Sequence, residues 1–158
     1  MARNFTLFLI VAFIAFAIDQ GSKFYVVEML DLRNRLRLDV IPPYLNFRMG
    51  WNDGINFGLF SGSSDIWRWA LVVIAIGASL WAAFWVLMQN IKIASWSAGL
   101  LAGGALANGY DRAVHGAVAD FLNMSCCGIS NPFAFNLADV FIFAGLFGLI
   151  YVMEFKKA

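Results

Sequence analysis

Long apolar runs constrain this chain more than anything else in it. They fall at about residues 5–27, 66–88, 93–109 and 133–153, and about 20 helical residues cross the hydrocarbon core of a bilayer. The first run is interrupted late by Asp19, Gln20 and Lys23, and the second is nearly free of charge apart from Arg68. Four spanning helices are the direct reading. Composition agrees: 61% of the 158 residues are hydrophobic and 13% charged, against about 45–50% and about 25% in soluble domains. A soluble protein so apolar would expose large patches and aggregate. The expectation is an all-α membrane protein, with residues 1–158 forming one membrane-embedded domain.

Details of the runs support this. Trp67, Trp69, Trp81, Trp85 and Trp96 fall mainly near run ends, where indoles favour the interface. Gly99, Gly103 and Gly104 in the third run would let neighbouring helices approach closely. Arg3, the first apolar run and Ala15-Phe16-Ala17 also resemble a cleavable signal peptide. Cleavage there would strand Asp19 and Lys23 at a frayed end. Retained, they stand at i and i+4 with the acid first, the better order on a helix.

Two longer segments, about 28–64 and 110–132, lie between spans on one side. In the first, residues 35–40 and 44–49 alternate polar and apolar on either side of Pro42-Pro43, which predicts a small sheet at the membrane surface. Four spans place both termini on the other side. Lysines and arginines occur on both sides, so charge alone leaves the orientation open.

The formal net charge of +1 gives no basic field for nucleic acid. Cys126 and Cys127 are adjacent and the only histidine is His115, so no spaced zinc ligand set exists. A Ser-His or Cys-His hydrolase would have His115 as its only base.

Polar residues within or beside the spans carry the functional signal. An Asp or Lys at the centre of a membrane helix costs about 2.5–3.5 kcal/mol. Asp19, Lys23, Asn108, Asp111, Arg112, Asn136 and Asp139 all stand at or near run ends. Up-and-down topology brings the end of the first run, the end of the third and the start of the fourth to one face. Asp120, in the segment joining the last two, belongs to that level. Asn136 and Asp139 share a helical face at i, i+3; Asn108 and Arg112 share one at i, i+4 if the third helix runs that far. Such residues can simply mark an interface, or build an ion-transport site. Transport sites lie near the midplane of repeated halves, whereas these groups sit at one face of a chain without repeats. A non-catalytic assembly subunit would have no use for the two aspartates.

At these residues the chain resembles the lipoprotein signal peptidases (signal peptidase II), over nearly its whole length. Asp19-Gln20-Gly21-Ser22-Lys23 is similar to the family's D-Q-x-[ST]-K block, and Asn52-Asp53-Gly54-Ile55-Asn56-Phe57-Gly58 to its N-x-G-x-x-F-G block. Residues 103–112, ending in Asn108-Gly109-Tyr110-Asp111-Arg112, resemble G-G-A-x-G-N-x-x-D-R. Val118-Ala119-Asp120-Phe121 and Phe135-Asn136-Leu137-Ala138-Asp139 resemble the segments that hold the two catalytic aspartates. Ala107 replaces the usual glycine before the asparagine, and Asn56 stands where a small residue is common.

The resemblance implies four transmembrane helices, a small extracytoplasmic β-sheet or cradle, and both termini in the cytoplasm of a bacterium with its inner membrane as host. It implies an aspartic endopeptidase with Asp120 and Asp139 as catalytic residues and no cofactor or metal. The implied partners are membrane lipid and diacylglyceryl-modified prolipoproteins, cut just before the lipidated cysteine; nucleic acid is not among them. Asn108, Arg112 and Asn136 would position the substrate backbone, Asn52 and Gly54 would shape the rim, and Asp19 with Lys23 would brace the cradle against the first helix. Two neighbouring carboxyls cannot both ionise easily, so such a pair shares a proton.

Overall fold

The computed structural model describes residues 2–54, 64–89, 91–128 and 131–155. Helix α1 (Ala2–Lys23) continues as a wider π-helical stretch, Phe24–Met29, and is followed by a single-turn helix, α2 (Leu32–Arg35). Strands β1 (Arg37–Ile41) and β2 (Leu45–Asn52) precede α3 (Ser64–Gln89) and α4 (Lys92–His115). Strand β3 (Val118–Met124) and α5 (Leu137–Phe155) complete the order.

Among the described residues, three helical segments are long and apolar enough to cross a membrane: Ala2–Met29, Asp65–Gln89 and Leu137–Phe155. Their outward faces are greasy, with Phe13, Ile14, Val73, Leu80, Phe143 and Phe147 all exposed. Helix α4 matches them in length, since its 24 residues rise about 36 Å, but it is more polar. The reason is its position: α1, α3 and α5 each pack on it. With most of its surface buried against protein, only a narrow stripe of α4, including Trp96, Leu106, Tyr110 and Val114, stays exposed and apolar.

Small residues allow this crowding. Gly103 and Gly104 are neighbours on α4 facing different helices. A Cβ at Gly103 would strike the Ala12 carbonyl oxygen of α1, and one at Gly104 would lie 2.5 Å from the Ala138 carbonyl oxygen of α5. The close approach expected from Gly99, Gly103 and Gly104 is present at all three.

The expected sheet exists, with a third strand added. Its order is β1-β2-β3, antiparallel throughout. The first two strands start close to the predicted segments, and β2 extends three residues further, to Asn52. Strand β3 lies in the segment read from sequence only as a connection. Its first four residues are all buried, so it lacks the alternation that marks a half-exposed strand. Phe121 is its anchor: with Val26 and Leu32 it forms a buried cluster, and its ring meets Phe47 edge-on at 5.7 Å.

Candidate active site

Backbone pairing brings the two aspartates together. The Phe121 and Leu122 amides both donate to the Phe135 carbonyl, at 3.0 and 2.8 Å, and the Phe135 amide donates back to Leu122 at 3.0 Å. Asp120 precedes Phe121 and Asn136 follows Phe135, so this pairing sets the β3 acid beside the start of α5. Asn136 caps that helix. Its Oδ1 accepts from the Asp139 amide at 3.0 Å, and Asp139 Oδ2 accepts from the Asn136 amide at 3.1 Å. This is the reciprocal geometry of a capping box, with Asn and Asp in place of the usual Ser/Thr and Glu.

Three asparagines aim their NH2 groups at the two carboxylates, each because its oxygen is already engaged. Asn136 Oδ1 is taken by the Asp139 amide, so Nδ2 donates to Asp120 Oδ1 at 2.6 Å. Asn52, at the end of β2, accepts from the Gly54 amide at 2.9 Å and donates to Asp120 Oδ2 at 3.0 Å. Gly54 has φ +96°, and a Cβ there would collide with Leu71, so this turn requires glycine. Asn108 Oδ1 accepts from Lys23 Nζ and Asn136 Nδ2, both at 3.2 Å, and Nδ2 donates to Asp139 Oδ1 at 2.9 Å.

A buried charged cluster supports Asn108 from behind. Lys23 Nζ lies 2.7 Å from Asp19 Oδ2 and 2.7 Å from Asp111 Oδ2. Gln20 donates to Asp111 Oδ1 at 2.8 Å, and the Ala119 amide of β3 reaches Asp111 Oδ2 at 3.4 Å. Asp19 Oδ1 accepts from the Ala138 amide at 2.8 Å, satisfying another free N–H at the α5 N-terminus. A buried cation between two carboxylates is tolerated only with such full pairing.

Asp120 is 6% exposed. Burial pushes its carboxyl up to about 6, the nearby Asp139 charge adds to the rise, and the Asn52 and Asn136 amides oppose it. Asp139 is half-buried and opens onto an apolar groove of about 570 Å³ lined also by Phe135, Val140, Phe143 and Ala144. Among the described residues, no three His, Cys, Asp or Glu side chains converge as a metal site. The arrangement sets two carboxyls among fixed amide donors beside an apolar surface.

All nine residues singled out from sequence gather around this end of the bundle. Asp19 and Lys23 stand at the end of α1, and through Asp111 the lysine is linked to the Ala119 amide of β3. They tie α1 to α5 and α4, because their partners are Ala138, Asn108 and Asp111. By sequence Asp111 stands at this level without an assigned role and Gln20 has none; in the structure both belong to the cluster around Lys23. Asn56 lies outside the described residues.

The model of the family described as signal peptidase (SPase) II matches residues 11–155. A lipoprotein signal peptidase of Pelagibacter ubique is 36% identical over 153 residues, covering 97% of this chain and 90% of the relative. One from Methylorubrum extorquens is 36% identical over 136 residues, covering 85% and 77%. A bacterial membrane enzyme solved by the in meso method at 2.3 Å superposes with TM-score 0.75 at 25% identity, over 95% of this chain and 88% of that one. With most of its length matched at this level, the chain belongs to the signal peptidase II family of membrane aspartic peptidases.

Proposed function

We propose that Asp120 and Asp139 form a catalytic dyad that removes the signal peptide from diacylglyceryl-modified prolipoproteins, cutting before the lipidated cysteine. The observation that carries this reading is the double grip of Asn136, whose side chain holds Asp120 and whose backbone amide holds Asp139. The ionised carboxylate takes a proton from water as the water oxygen attacks the scissile carbonyl carbon. The protonated partner donates to the carbonyl oxygen. Collapse of the tetrahedral intermediate breaks the C–N bond, and the leaving nitrogen takes a proton from the dyad.

In this reading α4 is the fourth span, both termini are cytoplasmic, and the sheet and acids lie at the outer surface of the inner membrane. The signal helix of the substrate lies along the groove beneath Asp139, against Val140 and Phe143. Its acyl chains stay in the hydrocarbon. Asn108 and Arg112 position the backbone around the scissile bond.

The test is cleavage of a lipidated precursor by purified protein in detergent, followed by gel shift. Asp120→Asn and Asp139→Asn should each remove activity by about 10²–10⁴-fold while the helical signal and thermal unfolding remain those of a folded protein. Near-normal cleavage by either folded variant would end the dyad assignment.

A further inference from the structure

Arg68 is the one charged residue inside the apolar stretch of α3, and its guanidinium is spent on the end of α4. Its Nε donates to the Arg112 carbonyl at 2.7 Å, and its Nη2 to the Ala113 carbonyl at 2.8 Å. The Gly116 amide, at φ +88°, donates to that same Arg112 carbonyl at 3.1 Å. Its guanidinium carbon lies 5.2 Å from the Trp69 ring centroid, and Asp65 is 3.9 Å away on an exposed side chain. A planar, two-pronged donor thus closes the last turn of α4, where a helix presents unsatisfied carbonyls and negative potential.

That turn carries Arg112, and Arg112 has little else to place it. Among the described residues its side chain makes one hydrogen bond, from Nη1 to the Asn108 carbonyl of its own helix at 3.3 Å. Its Nε is buried and meets no acceptor among the described residues. Its guanidinium nevertheless feels the charges of Asp120, Asp139 and Asp111, and it passes close to Gly54, where an added Cβ would lie 3.7 Å from Nη2. The position of this cation is therefore set by the backbone of the last turn of α4, and α3 sets that backbone through Arg68.

We propose that Arg68 is a positioning residue for the peptidase reaction: its grip on the Arg112 and Ala113 carbonyls fixes the Arg112 guanidinium at the cleavage site. A lysine offers one point of charge in place of two parallel donors and can replace it only in part. The inference rests on the peptidase reading above.

The experiment compares kcat/KM for a lipidated precursor in four full-length proteins: wild type, Arg68→Met, Arg112→Gln and the double variant, with Arg68→Lys alongside. Arg68→Met should lower kcat/KM by up to about 100-fold, the scale of a small misplacement at a reacting centre. Arg68→Lys should recover part of the loss. In the Arg112→Gln background, Arg68→Met should cost less than about threefold more, because its action runs through Arg112. An equal loss in both backgrounds, or wild-type kcat/KM in folded Arg68→Met, overturns the proposal. Should Arg68→Met not fold, Arg68→Lys in the two backgrounds supplies the same comparison. Full activity of Arg112→Gln overturns this proposal alone, whereas a wild type that leaves the precursor uncut overturns the peptidase reading.

Discussion

Asn136 donates its side-chain amide to Asp120 across 2.6 Å and is itself fully buried. The same residue caps α5, so a helix cap and an acid-holding contact are one structure. Local folding rules and the geometry of the acids therefore cannot vary independently here. Displacing the cap displaces Asp139, and displacing the amide frees Asp120.

Asn136→Ala removes both functions together. Loss of an N-cap side chain costs about 0.5–2 kcal/mol. Activity should fall by more than that stability loss accounts for, because Asp120 loses an N–H donor and the Asp139 backbone amide loses its side-chain acceptor. Asn136→Ser restores a capping oxygen but cannot donate as a carboxamide does. It should recover most of the stability and little of the activity. Denaturant unfolding in mixed micelles and initial cleavage rates separate the two.

Asp120 makes stability depend on pH with a definite sign. Its folded pKa is raised from 3.8 to about 6, so the folded state holds that proton more tightly than the unfolded one. The associated stabilisation is complete below about pH 4 and is lost as pH rises through about 6. The shift corresponds to at most about 3 kcal/mol. Between pH 4 and 7 the wild type should lose stability relative to Asp120→Asn, whose side chain does not titrate. Parallel unfolding curves for the two proteins across that interval would show that Asp120 is not buried in the way described.

Much of the site was legible because it follows from topology. Asp19, Asn108, Asn136 and Asp139 stand at run ends, and antiparallel helices bring alternate run ends to one face whatever the packing. What escaped depends on contacts between segments. Strand β3 is buried from its first residue, so its sequence carries no period-two pattern. Helix α4 outlasts its apolar run by more than a full turn, to His115, because Arg68, Lys23 and Gln20 from other helices satisfy groups at that end. Arg68 read only as an isolated charge in an apolar run. Its partners are backbone carbonyls, to which any residue could contribute, so no side-chain pattern announces them.

Lys23→Met should be among the most destabilising single changes. The lysine sits between Asp19 and Asp111 at 2.7 Å from each. Removing it leaves two buried carboxylates without a cation, for a cost of about 3–5 kcal/mol. Adding Asp111→Asn to Lys23→Met should return part of that stability, since one uncompensated charge disappears. A double-mutant cycle measured by chemical unfolding would test the coupling. Additive losses would mean that the three groups do not act as a unit.

Gly104→Ala probes how tightly α4 controls the acids. An added Cβ would stand 2.5 Å from the Ala138 carbonyl oxygen and 3.0 Å from Ile142 Cγ1. The first obstacle is backbone, which cannot rotate away, so α5 must shift at its first turn. Overpacking of this kind costs about 1–3 kcal/mol. The shift acts on the residue next to Asp139 and two beyond Asn136, so it reaches the contacts of both with Asp120 and Asn108. Cleavage should therefore drop by at least about tenfold at temperatures where the variant remains folded, as expected for sub-ångström displacement of reacting groups. Gly21→Ala is the matched control: an added Cβ there meets nothing within 4 Å, and replacing glycine within a helix is otherwise favourable. It should leave cleavage unchanged and stability equal or higher. Equal activity in the two variants would show that the acids tolerate movement of α5, and that the close contact at Gly104 serves packing alone.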